Sequence, residues 1–256
     1  MRNKSTEREI YNLADEVSNC PKWGEQWNEK LMNYLLSTKL DRDVLDMAKI
    51  CLENKDILII GGGGSESKIV NSVPCKSISV INISEKEIER YREYYPKFTK
   101  FFVMDAEKTD FNNASFDVVL AHSILHHLEL NAALTEIKRL LRPNGIFFIA
   151  DEPIALNIIA FIGRKFFPTN IHTPDEKPFI VYEFRKKIKK YGFKEINFKT
   201  YYLFSLLIPI FSKYIKTSTQ KLKKIIDIAL LVEDILIRLP YIKEFCWNFA
   251  AIYKKN

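Results

Sequence analysis

The chain has 256 residues and 47% apolar content, which is ordinary for a globular protein and enough for one large α/β domain. Its four scattered cysteines form no CxxC pair, so the sequence argues against a disulfide framework or a zinc site and favours a reducing, cytoplasmic compartment. No apolar run reaches the length needed to span a bilayer.

The net charge of +7 is unevenly distributed. Residues 1–150 carry 20 Lys or Arg and 22 Asp or Glu, whereas residues 151–256 carry 19 and 10. This basic C-terminal part is either an ordinary solvated surface or a face attracted to an anionic membrane or substrate. Nucleic acid is less favoured as a partner, because the basic and aromatic residues form no recognisable binding module.

The N-terminal part of the chain is predicted to be helical. Apolar residues recur at helical spacing over residues 5–19, 24–37 and 41–53, and Asp41 is a candidate cap for the third helix. We expect residues 1–55 to form a helical segment that packs on the rest of the protein or covers a ligand as a lid.

Four consecutive glycines, Gly61 to Gly64, follow the apolar run 57–60 and precede a second apolar run at 78–83. This order predicts a buried strand, a glycine turn, a short helix and a second strand. Glycines let the chain turn sharply and let a ligand approach the main chain. Asn82 lies about twenty residues beyond them, where nucleotide-binding βαβ units contact a ribose.

Strands and helices continue to alternate after this unit. Further strands are predicted over 99–103, 116–121 and 146–150, with helices over 85–94 and 131–141 and a Pro-Asn-Gly turn within residues 141–145. Such alternation is typical of a doubly wound parallel sheet, whose ligand binds at the carboxyl ends of the strands. Five residues at or just past strand ends are therefore expected to share one crevice: Gly61, Asn82, Asp105, His122 and Asp151.

Five segments, ILIIGGGGS, VINIS, MDAE, SFDVVLAHSILHHL and LRPNG, together resemble the motifs of class I S-adenosylmethionine-dependent methyltransferases. The resemblance covers roughly residues 40–153 and is nearest to the small-molecule, ubiquinone-biosynthesis-like group. It implies a Rossmann-like sheet of seven strands with an antiparallel last pair. It also implies S-adenosylmethionine as cofactor, bound by Gly61, Gly62, Gly63, Asn82, Ile83, Asp105, Ala106 and His122.

The sequence departs from the family pattern at two acidic positions. Ile59 replaces the acid that usually precedes the glycines, and Asn82 replaces the acid that usually binds the ribose. Asparagine can accept and donate hydrogen bonds but lacks the strength of a charged carboxylate. Glu66 is a candidate substitute for the first acid. These departures leave open an altered cofactor or a degenerate, non-catalytic relative.

The C-terminal part supplies a predicted helix over 181–190 and the last two strands, over 193–203 and 246–253. Residues 204–245 form a long insertion before the last strand, which we interpret as a helical cap over the substrate or as a helical pair that packs on the sheet. The cofactor-binding domain accordingly comprises residues 56–203 and 246–256.

The resemblance and the apolar insertion together predict methyl transfer to a small, lipophilic acceptor, with O-methylation favoured. The candidate bases are His126, Glu152 and His172, and no metal site is predicted. Two alternatives remain: a degenerate cofactor-binding protein, and a methyltransferase that acts on RNA or protein. The basic flanks of the insertion also suggest contact with a membrane surface, and the oligomeric state is left open.

Overall fold

The computed structural model describes residues 28–158, 177–239 and 241–256. The predicted helix over 5–19 and the candidate base His172 lie outside these residues. The strands of the described part are β1 Asp56–Ile60, β2 Ser77–Asn82, β3 Lys100–Val103, β4 Phe116–His122, β5 Leu141–Pro153, β6 Phe193–Tyr201 and β7 Asn248–Lys255.

These strands form one sheet in the order β3, β2, β1, β4, β5, β7, β6. Strands β1 to β5 pair in parallel, whereas β7 is antiparallel to both of its neighbours. The predicted seven-stranded, Rossmann-like sheet is therefore confirmed. The order reverses at β1, so the crevice between the carboxyl ends of β1 and β4 is the expected ligand position.

The α-helices of the described part are α1 Glu29–Leu36, α2 Arg42–Cys51, α3 Ser67–Asn71, α4 Glu85–Tyr91, α5 Leu130–Leu140, α6 Val181–Lys190, α7 Leu207–Phe211 and α8 Thr219–Leu236. Helix α6 has the predicted bounds. The prediction that Asp41 caps α2 is wrong, because a π-helical turn, Ser37–Asp41, joins α1 directly to α2 and the Asp41 side chain makes no capping bond. None of these helices is long and apolar enough to cross a bilayer.

Strand β5 begins earlier than the sequence predicts. The predicted turn lies inside the strand as an irregularity: Phe116 pairs with Leu141, and the next pair joins Val118 to Ile146. Asn144 has a φ of 62°, a left-handed conformation that asparagine tolerates. The extra residues therefore form a bulge that interrupts the pairing without ending the strand.

Two apolar layers cover the two faces of the sheet. Alternate residues of β1 serve different layers: Ile57 and Ile59 face the side covered by α1, α2 and α8, whereas Leu58 and Ile60 face the side covered by α5 and α6. All four side chains are buried. Burial on both faces explains why the sequence shows a continuous apolar run rather than an alternating one.

Helices α7 and α8, in the predicted cap, connect the end of β6 to the start of β7. Because β7 is antiparallel, both points lie at the edge where β1 and β4 end. Glu233 of α8 accepts hydrogen bonds from the N–H groups of Phe204 and Ser205, both at 2.6 Å. The Tyr34 hydroxyl donates to Asp227 at 2.7 Å. The described part of the insertion therefore packs on α1 as one helical unit.

Candidate active site

A cavity of about 540 Å³ opens at the carboxyl ends of β1, β2, β3, β4 and β5. Its size is in the range of small-molecule sites. The five residues predicted at strand ends all line it, and so do three more residues of the predicted cofactor set: Gly61, Asn82, Asp105, His122 and Asp151, with Gly63, Ile83 and Ala106. Gly62, the remaining member of the predicted cofactor set, is not part of the wall. No described residue of the 204–245 insertion lines the cavity either.

The glycine loop is fastened to the end of β2. The N–H groups of Gly61 and Gly62 both donate to the carbonyl oxygen of Ile81, at 2.9 and 3.1 Å. Gly61 has a φ of +71°, and a Cβ there would lie 2.3 Å from Cγ1 of Ile124. Gly61 is therefore required by the backbone conformation and by packing.

Gly62 and Gly63 differ in their surroundings although they are adjacent. A Cβ at Gly62 would lie 2.3 Å from Cγ1 of Val80, whereas the nearest atom to a Cβ at Gly63 would be the carbonyl oxygen of Gly61 at 3.8 Å. The N–H groups of Gly63 and Ser65 donate no hydrogen bond within the described part of the chain. Gly63 thus leaves open a cradle of main-chain donors that fits a carboxylate or another polar part of a cofactor.

Asn82 connects the glycine loop to the start of α4. Its Nδ2 donates to the carbonyl oxygen of Gly62 at 3.0 Å, and its Oδ1 accepts from the N–H of Ser84 at 2.8 Å. Ser84 in turn caps α4 by accepting from the N–H of Glu87 at 3.2 Å. Asn82 therefore makes a hydrogen bond that a carboxylate at this position could not make, because a carboxylate has no hydrogen to donate to the carbonyl oxygen of Gly62.

Glu66 restores a carboxylate near the glycine loop. It is 1% exposed, lines the cavity, and accepts hydrogen bonds from the N–H of Gly64 at 3.3 Å and from the hydroxyl of Tyr95. Burial, and then the charge of Glu66, raise the pKa of Tyr95, which keeps this hydroxyl a donor. Ile59 is wholly buried between Val80 and Leu120. Tyr95 was missed by the sequence analysis, because no motif distinguishes it from its tyrosine neighbours.

Asp105 follows the end of β3 and faces the same cavity. Its Oδ1 accepts a hydrogen bond from the N–H of Glu107 at 2.9 Å, which fixes the turn beyond the strand. Ala106, next to it, is buried in the wall. The structure therefore puts Asp105 and Asn82 together at the β2–β3 end of the cavity.

Glu152 and His126, two predicted bases, lie behind the cavity wall. Glu152 is 0% exposed and accepts hydrogen bonds from the N–H groups of Ile124 and Leu125, at 2.9 and 2.8 Å. Its other oxygen is 2.9 Å from Nδ1 of His126. Neither residue lines the cavity. This geometry makes Glu152 a support for the turn after β4, and it argues against the predicted catalytic role of either residue, which stays untested.

Asp151 is the carboxylate of β5 that lines the cavity. The β5–β7 pairing shifts register between Ile149 and Glu152, and Asp151 has a φ of 62°. A bulge of this kind re-aims side chains, so Glu152 turns inward while its neighbour faces the cavity. The Nδ2 of Asn248 donates to Asp151. Burial raises the pKa of the Asp151 carboxyl, and the charge of His122 partly opposes this rise.

Comparisons with known proteins agree with this fold. Residues 58–149 match the family model described as a methyltransferase domain. This span contains the glycine loop, β2, β3, β4 and most of β5. The match identifies residues 58–149 as a methyltransferase domain, and the sheet order agrees with the Rossmann-like fold of class I S-adenosylmethionine-dependent methyltransferases. No curated protein matches the chain significantly in sequence.

Solved structures share the fold at low sequence identity. A chain of the complex between the Haloferax volcanii Trm112 methyltransferase activator and a methyltransferase superposes with a TM-score of 0.64 at 13% identity, covering 96% of each chain. An S-adenosylmethionine-dependent methyltransferase from Mesorhizobium loti gives 0.56 at 14% identity, covering 86% of this chain and 100% of that one. A geranyl diphosphate methyltransferase with its substrate and sinefungin gives 0.55 at 12% identity, covering 86% and 79%.

Proposed function

We propose that this methyltransferase transfers the methyl group of S-adenosylmethionine to an oxygen atom of a small, lipophilic acceptor, and that Asp151 is the base. The observation that carries the proposal is the position of Asp151, which lines the cavity while Glu152 and His126 are held behind the wall. A base must reach the proton that it accepts, so geometry favours Asp151.

The cofactor part of the proposal rests on the β1–β3 side of the cavity. The main-chain donors at Gly63 and Ser65 would hold the carboxylate of the cofactor, Glu66 its amino group, and Asn82 and Asp105 its nucleoside. When bound, S-adenosylmethionine supplies an electrophilic methyl group, so the protein has to align the acceptor and exclude water.

The acceptor part of the proposal rests on the residues of the β4–β5 side of the cavity. Burial raises the pKa of the Asp151 carboxyl and the charge of His122 opposes this rise, and a carboxyl with a raised pKa is a stronger base. An acceptor hydroxyl would lose its proton to Asp151 as the oxygen–carbon bond forms and the sulfur–methyl bond of the cofactor breaks, which leaves S-adenosylhomocysteine. The apolar side chains of Ile124 and Leu128 in the cavity wall favour a lipophilic acceptor. A neighbour in fold acts on geranyl diphosphate, which has an apolar chain.

A methyltransferase of RNA or protein is the second candidate. The basic C-terminal part favours an anionic macromolecule, and the structure with a TM-score of 0.64 is from a complex with an activator protein. A cofactor-binding protein without transferase activity is the third candidate, since Ile59 and Asn82 replace the usual acids.

The test is transfer of labelled methyl from S-adenosylmethionine to hydroxylated isoprenoids, phenols, total RNA or denatured protein. We expect label in an organic extract with a small hydroxylated acceptor, and loss of that label in Asp151→Asn. Asp110→Asn is the matched control, because Asp110 is exposed and outside the cavity. Label confined to acid-precipitable RNA or protein would contradict the small-molecule acceptor. Cofactor binding without transfer to any acceptor would favour the degenerate protein.

A further inference from the structure

Helix α8 exposes a row of large aliphatic side chains. Ile228, Leu231 and Ile235 are 61%, 66% and 65% exposed, and Ile225 and Val232 extend the same row. These residues are three or four positions apart, so they share one face of the helix. A continuous aliphatic face on a helix surface marks an interaction site more often than scattered exposed residues do.

The opposite face of α8 packs against the core of the protein. Leu222, Ile226 and Leu230 are buried in the apolar layer that also contains residues of α1. The helix is therefore apolar on its inner and its outer face. Packing within this chain explains the inner face only, since no described residue buries the outer one.

The acidic residues of α8 avoid the exposed face. Asp227 accepts from the Tyr34 hydroxyl, Glu233 is buried against Ser205, and Asp234 pairs with Lys39 at 2.5 Å. All three carboxylates therefore contact other elements of the fold. Within the described chain, the aliphatic face carries no acidic residue.

Basic side chains lie at both ends of the aliphatic face. Lys221 and Lys224 are exposed in the first turns of α8, and Arg238 is exposed just beyond its last turn. Helical spacing puts Lys221 and Lys224 on the same side as Ile225 and Ile228. An aliphatic row with cations at its ends and no carboxylate is complementary to lipid: the row enters the acyl boundary and the cations meet anionic headgroups.

We propose that the outer face of α8, defined by Ile225, Ile228, Leu231, Val232 and Ile235, docks this protein on an anionic lipid bilayer. The helix would lie in the plane of the interface, because the described helices are not long and apolar enough to span a bilayer. The segment that contains α7 and α8 joins the sheet at the edge where the cavity opens. The inference does not depend on methyl transfer.

Flotation of the full chain with vesicles tests the proposal. Phosphatidylcholine vesicles that contain phosphatidylglycerol should carry the protein upward, and vesicles of phosphatidylcholine alone should carry much less. The triple variant Ile228→Ser, Leu231→Ser and Ile235→Ser should weaken partitioning about a hundredfold. The double variant Lys221→Gln and Lys224→Gln should weaken it about fivefold for each lysine, and added salt should weaken the wild type in the same direction.

Matched variants elsewhere on the surface serve as controls. Ile50, Phe98 and Ile196 are exposed apolar residues outside α8, and their replacement by serine should leave partitioning unchanged. Lys97 and Lys100 are exposed at the β3 end of the sheet, and their replacement by glutamine should have little effect. Thermal unfolding and sedimentation velocity on each variant check that the proteins are folded and report their oligomeric state.

Three results would overturn the proposal. One is a wild-type protein that stays in the soluble fraction with phosphatidylglycerol vesicles. Another is a folded α8 serine variant that floats as well as the wild type. The third is a wild-type dimer, without vesicle binding, that the same serine substitutions convert to monomer, because the face would then join two copies of the chain.

Discussion

On the β1–β2 side of the cavity, Asn82 and Glu66 line the wall and also form hydrogen bonds with the glycine loop. On the β4–β5 side, two carboxylates that are adjacent in sequence differ in position. Asp151 faces the cavity and Glu152 is enclosed behind it. In the proposed function, the residues of the first side both support the loop and bind the cofactor. On the second side, Glu152 supports the fold and Asp151 is the proposed base, and the bulge in β5 separates the two.

This difference predicts different consequences for substitutions on the two sides. Changes on the β4–β5 side should separate stability from catalysis, because each task belongs to one residue. Changes on the β1–β2 side should affect cofactor affinity together with loop order. Four substitutions test the contrast, beginning with the largest expected effect.

Replacement of Glu152 by alanine should lower the free energy of unfolding by about 3–5 kcal/mol, because the N–H groups of Ile124 and Leu125 would lose their buried acceptor. Urea unfolding followed by circular dichroism measures the change. Glu152→Gln keeps one acceptor oxygen and should lose less. An alanine variant as stable as the wild type would show that Glu152 is not a support.

Replacement of Asp151 by asparagine should lower kcat by about 10²–10³-fold and leave most of the stability unchanged, because the general base is lost while its shape is kept. In the wild type, kcat should rise with pH through the raised pKa of Asp151, since only the ionised carboxylate can accept a proton. A full pH–rate profile for both proteins measures this. If the asparagine variant keeps the acid limb of the wild-type pH–rate profile, another residue is the base.

Replacement of His122 by glutamine should move that acid limb to higher pH, because the positive charge of His122 lowers the pKa of Asp151. The profile is measured at saturating S-adenosylmethionine, so that a change in cofactor affinity does not distort it. A limb that stays in place, or moves to lower pH, would contradict the predicted coupling between the two residues.

Replacement of Glu66 by glutamine should weaken binding of S-adenosylmethionine about tenfold, because the bond to the cofactor's amino group would lose its charge. Tyr95→Phe removes only the hydroxyl that orients Glu66, so its effect should be smaller. Calorimetric titration gives both affinities. Equal affinity in the wild type and Glu66→Gln would show that Glu66 does not substitute for the acid that Ile59 replaces.

The sequence predicts the sheet well, because strands such as β1 are buried on both faces and appear as continuous apolar runs. It also predicts that Asn82, Asp105 and His122 share one crevice, since the carboxyl ends of parallel strands meet at one edge. These conclusions need only periodicity and strand direction.

The remaining features depend on contacts that no local pattern contains. Whether Asp151 or Glu152 faces the cavity is decided by the pairing shift with β7, a strand about a hundred residues away. Whether Gly62 or Gly63 leaves room for a ligand depends on the side chain of Val80. The capping role of Asp41 was mispredicted because the π-helical turn before α2 continues directly into the helix and needs no side-chain cap.

Titration of S-adenosylmethionine into the wild type and Gly63→Val tests whether the glycine cradle binds the cofactor. A Cβ at Gly63 would meet no atom closer than 3.8 Å, whereas one at Gly61 would lie 2.3 Å from Cγ1 of Ile124, so Gly63→Val should remain folded and Gly61→Val should not. We predict saturable binding to the wild type and no measurable binding to a Gly63→Val protein with the wild-type melting temperature. Equal affinity in the two proteins would contradict the assignment of the cavity.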